Sequence, residues 1–94
     1  MKMKRNDDLI EWIRTYFGYK DAEFIDPMET EVFYITNKET YKIEDVKSIL
    51  SIGGLYLVEE FDSEDDWMMG QKHKDGKIYC WGNYGQLKDA IDGL

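Results

Sequence analysis

The sequence predicts an α+β fold: an antiparallel sheet of about five strands, with an N-terminal helix, a short middle helix and a C-terminal helix. Three observations carry that expectation. Apolar residues recur at helical spacing between positions 9 and 17. The centre of the chain is rich in β-branched and aromatic residues, broken by polar and glycine turns. The last third, WMMGQKHKDGKIYCWGNYGQLKDAIDGL, reads as strand, tight turn, strand, helix.

In chain order, Asn6-Asp7-Asp8 supplies an N-cap followed by two carboxylates that suit the positive end of a helix. Leu9, Trp12, Ile13, Tyr16 and Phe17 then form one apolar face, and Gly18 occupies a stop position. Tyr19 to Met28, with the single proline Pro27, reads as a connector. ETEVFYIT and TYKI flank a polar Asn37-Lys38-Glu39 turn and predict a hairpin. Between Ile43 and Ile52, Val46, Ile49 and Leu50 have helical spacing and Gly53-Gly54 follows, which predicts the short middle helix against a continued strand. LYLVEEF is a strand with Leu55, Leu57 and Glu59 on one face and Tyr56, Val58 and Glu60 on the other. Asn83 and Gln86 read as a capping box for a helix carrying Leu87, Ala90, Ile91 and Leu94.

The turn at Asp75-Gly76 admits two registers. A two-residue loop sets Lys74 against Lys77, an unfavourable like-charge pair. A three-residue loop with Gly76 left-handed pairs His73 with Lys77 and places Trp67, Met69, Tyr79 and Trp81 on one face; that register is preferred. The residues expected in the core are Trp12, Ile13, Tyr16, Phe17, Phe33, Ile35, Leu57, Ile78 and Leu87.

Ninety-four residues make one domain, 1–94. The net charge of −8 disfavours sequence-blind binding to nucleic acid or an anionic membrane and suits a basic partner. No apolar run reaches the ~20 residues of a membrane span, and no apolar leader follows the basic N-terminus. A single cysteine, Cys80, fits a reducing compartment, so a soluble cytoplasmic protein is expected.

Glu59, Glu60, Asp62, Glu64, Asp65 and Asp66 put six acids into eight residues with no base among them. A calcium loop would need a glycine at its sharp turn and a distal bidentate glutamate, and the glycine is missing. The run otherwise reads as a solvated turn or as a docking patch for a basic protein surface. Lys72, His73, Lys74 and Lys77 form a basic hairpin tip, read as protection of a strand end. One cysteine and one histidine cannot close a zinc site, and in either register they lie several residues apart along the strands. Gly82 and Gly85 lack the lysine of a P-loop and the spacing of a dinucleotide fingerprint.

No catalytic set or cofactor motif stands out. The chain is therefore read as a small acidic protein-binding module, not an enzyme, of the inhibitor or immunity type found in bacteria and phages. Its partner-binding residues are the six acids. The alternative is a structural or accessory domain that self-associates as a homodimer.

Overall fold

The stretch VKSILSI, Val46–Ile52, is a strand and not the middle helix expected there. The computed structural model that shows this describes residues 5–61 and 66–94. Ile49 packs on one side of the sheet with Val58 and Met68, whereas Leu50 and Ile52 pack on the other with Leu57 and Trp67. A strand buried on both faces loses its polar alternation, and a continuous apolar run contains helical spacings by coincidence.

That strand is β4 of a single seven-stranded mixed sheet. The others are β1 (Glu23–Ile25), β2 (Val32–Ile35), β3 (Thr40–Lys42), β5 (Leu55–Glu60), β6 (Trp67–Lys72) and β7 (Ile78–Tyr84). Their order is β1-β4-β5-β6-β7-β2-β3, antiparallel except where β2 runs parallel to β7. The expectation of about five antiparallel strands and three helices is thus corrected, among the described residues, to seven mixed strands and two α-helices, α1 (Arg5–Trp12) and α2 (Leu87–Asp92). β1 arises inside the expected connector, too short at three residues to show a period. The C-terminal helix starts later than its capping box implied. β7 continues through Asn83, and Gln86 caps α2 without a side-chain bond.

Arg5 is already helical, so α1 begins before the cap expected at Asn6. The helix widens into a π-helical turn over Ile13–Phe17 and stops at Gly18, whose φ is 80°. Spacing i, i+3, i+7 places Ile10, Ile13 and Phe17 on one face, centred on Ile10 and not on Trp12. Ile10, Ile13 and Phe17 meet the sheet, while Trp12 and Tyr16 stack on each other at 6.0 Å on the outer flank. Trp12 (38% exposed) and Tyr16 (68%) are therefore not core residues. Among the other expected core residues Ile13, Leu57 and Ile78 are buried, Phe17, Phe33 and Leu87 are half-buried, and Ile35 is exposed.

The sheet cannot be flat. Lys42 of β3 and Val46 of β4 are joined by residues 43–45, four Cα steps that reach at most about 15 Å. In a flat sheet five strand spacings would separate β3 from β4 by about 24 Å. The strands therefore roll toward a barrel, while the Ile43 N–H bonds the Val32 carbonyl at 2.8 Å and extends the β2–β3 ladder by one rung up to the link to β4. Inside lie Val32, Ile49, Val58, Met68, Ile78 and Cys80, a core with no helix over it. Outside, α1 and α2 cover Leu50, Ile52, Leu57, Trp67 and Met69.

Candidate functional site

The acidic run divides where the strand ends. Alternation along β5 puts Glu59 on the same face as Leu55 and Leu57, and it is 0% exposed. Glu59 cannot meet a partner, which corrects its place in the docking patch. Glu60 is half-buried and Asp66 is exposed. Asp62, Glu64 and Asp65 lie outside the described residues.

The fold adds two acids that the sequence kept apart. The Phe61 N–H donates to the Asp45 carbonyl at 2.9 Å, and Val46 pairs with Glu60. Glu44 and Asp45, both exposed, thus arrive at the end of the sheet that holds Glu60 and Asp66. In the sequence these two appear as the first turn of a helix, so nothing local pointed to the site. Phe61 sits among these acids and is 60% exposed. An aromatic ring within a field of carboxylates offers apolar contact area to a cationic partner, and the charges steer its approach.

A second surface lies on the outer face of β7 and β2, beyond the cover of the helices. Phe33 stands beside Tyr79, their rings stacked at 5.3 Å. Two residues further along the same two strands, on the same face, come Ile35 and Trp81, the latter 49% exposed. Trp81 is the extra residue of an irregularity in the β6–β7 ladder, where Met69 pairs with Gly82 and Gly70 with Cys80. Comparison of the chain with protein-family models, curated proteins and solved structures finds no match. The reading of function therefore rests on these surfaces.

The basic hairpin tip adopts the preferred register. His73 N–H bonds the Lys77 carbonyl at 2.9 Å, and Gly76 has φ 83°. One of its charges, Lys77, is ion-paired. Glu31 bridges Lys42 at 3.2 Å and Lys77 at 3.6 Å, and the bond with Lys42 leads in holding its carboxyl below the usual range. Asp75 accepts the Lys77 N–H at 2.9 Å and the Tyr79 hydroxyl at 2.7 Å; these bonds lower its pKa and raise that of Tyr79. The His73 ring leans on Tyr79, on the outer face, whereas Cys80 points inward. Thiol and imidazole thus lie on opposite sides of the sheet. Burial, helped by the Glu60 charge, pushes the Cys80 thiol up to about 12, so it is a packing group and not a nucleophile. Among the described residues no three His, Cys, Asp or Glu are grouped to hold a metal ion, and no helix is long and apolar enough to cross a membrane.

Proposed function

We propose that the chain is a small acidic protein-binding module of the inhibitor type, acting by occupying a basic surface on another protein and not by catalysis. The observation that carries this reading is the placement of Glu44, Asp45, Glu60 and Asp66 at the end of the sheet that also carries the exposed Phe61. The net charge of −8 extends the attraction beyond contact distance, and the single buried cysteine suits a reducing compartment.

The test is capture on the immobilised full chain at low and high salt, followed by association kinetics of the retained protein. A basic protein should be retained at low salt and released as screening shortens the reach of the charges to about 8 Å near 0.15 M. The triple variant Glu44→Gln, Asp45→Asn, Asp66→Asn should slow association several-fold at low salt, and Phe61→Ala should speed dissociation. Equal rates for wild type and triple variant at low salt would end the proposal.

A second reading is supported by the exposed Ile35 and Trp81, next to the half-buried Phe33 and Tyr79: an accessory domain that pairs with its own kind through this face. Light scattering across a concentration series decides it. A dimer that becomes monomeric on Trp81→Lys supports self-association, and a wild-type monomer at every concentration removes it.

A further inference from the structure

Beside the acidic end, the chain forms a groove of about 210 Å³ between segment 27–32 and segment 42–46. Its apolar lining comes from Val32, Ile43 and Val46, all members of the inner core or packed on it, and from Pro27 and the exposed Met28. Three carboxylates, Glu29, Glu31 and Glu44, line it as well, against the one cation Lys42. Lys42 is already paired with Glu31. Among the described residues Glu29 and Glu44 make no side-chain hydrogen bond or ion pair, which leaves their charge for an incoming group.

The groove is formed before any ligand arrives. The Ile43 N–H to Val32 carbonyl bond joins its two segments, and the Met28 N–H bonds the Asp26 carboxylate at 2.8 Å, fixing the turn that carries Pro27 and Met28. Binding there needs little ordering of the chain. The volume falls below the ~300 Å³ at which small-molecule pockets begin, so a cofactor does not fit. An apolar trough flanked by two uncompensated carboxylates matches one kind of side chain: a long alkyl stem ending in a positive charge.

We infer that this groove receives one lysine or arginine side chain of the basic partner, its stem lying on Pro27, Met28 and Val46 above the buried Val32 and Ile43, and its charge lying between Glu29 and Glu44. The inference rests on the proposed basic partner and deepens it, since Glu44 belongs to both the groove and the acidic end.

The experiment is a backbone-amide NMR titration of the full chain at low ionic strength with three capped Gly-X-Gly peptides. X is lysine, norleucine (stem without charge) or 2,3-diaminopropionic acid (charge without stem). The lysine peptide should move the Thr30, Val32, Ile43 and Glu44 signals. The other two should bind about fivefold more weakly or worse, because each lacks either the charge or the methylenes that leave water in the groove. Glu29→Gln should weaken the lysine peptide several-fold and Asp66→Asn should not. Equal binding of the lysine and diaminopropionic peptides would overturn the groove. Shifts confined to Phe61 and Asp66 would overturn it too, while leaving the acidic docking end standing. No shift anywhere would bring down both.

Discussion

Gly70→Ala probes the point where the ladder between β6 and β7 shifts. Gly70 stands opposite Cys80 with its missing side chain toward the inner core. A Cβ added there would lie 2.7 Å from the Cys80 Sγ, 2.8 Å from the Tyr79 carbonyl oxygen and 3.1 Å from the Cys80 Cα. Two of those three atoms are backbone within a paired strand, and the sulfur is enclosed by the core, so none moves cheaply. Overpacking of this kind costs about 1–3 kcal/mol, and the backbone contacts place this case in the upper half. For a domain of this size a loss of ~2–3 kcal/mol lowers Tm by roughly 10–20 °C. Urea unfolding followed by tryptophan fluorescence gives the loss directly. In a Cys80→Ala background the sulfur contact is gone but the carbonyl remains, so the cost of Gly70→Ala should shrink without vanishing. A loss below about 0.5 kcal/mol in the wild-type background would refute the close approach of the two strands. Complete rescue by Cys80→Ala would show that the Tyr79 carbonyl is not where the register puts it.

Three further outcomes are expected. Ile13→Ala should cost about 2–5 kcal/mol, and more than Trp12→Ala, because Ile13 is enclosed and Trp12 stacks at the surface; the opposite order in chemical denaturation would mean that α1 is docked by another face. Gly76→Val should cost about 1–2 kcal/mol through φ alone, since no atom lies within 4 Å of the added Cβ, and Gly76→Asn should recover much of the loss; equal melts for both variants would contradict the left-handed turn. The Cys80 thiol should resist disulfide reagents in the folded chain. Its folded pKa of about 12 lies above the ordinary 9.0, so its contribution to stability is full below about pH 9 and is lost as pH rises toward 12; alkaline unfolding unchanged by Cys80→Ala would contradict this.

What could be read from the sequence was local. The tip of the last hairpin followed from Gly76 and from the repulsion between Lys74 and Lys77, both short-range facts. The stop at Gly18 was legible for the same reason. The partner of β2 was not, because its neighbour β7 lies more than forty residues away and a parallel pair leaves no turn signal. The first helix carries two overlapping apolar stripes, and nothing local decides that Ile10, Ile13 and Phe17 face the sheet while Trp12 and Tyr16 stack outside. At the candidate site the charge of the acidic run was plain from composition. The burial of Glu59 was also available, since it continues the row of Leu55 and Leu57. Glu44 and Asp45 joined the site through the pairing of β4 with β5, which sets Asp45 beside Phe61 and is hidden when Val46–Ile52 is read as a helix.

The order of the strands also bears on how the chain avoids becoming a fibre. Its most aggregation-prone segments in composition are LYLVEE and VKSILSI, apolar, rich in β-formers and free of proline. β5 is withdrawn from the sheet margin along its length, and β4 over the part that β1 covers. β5 is paired on each side, by β4 and β6, and β4 is paired by β5 along its length and by β1 over Ile49–Ser51. The strands left at the margin, β1 and β3, are three residues long and carry Glu23 and Lys42. Each offers a template of only about 10 Å, half the length of the six- or seven-residue segments from which cross-β stacks are built. The order of strands thus shields the chain's stickiest segments behind its shortest ones.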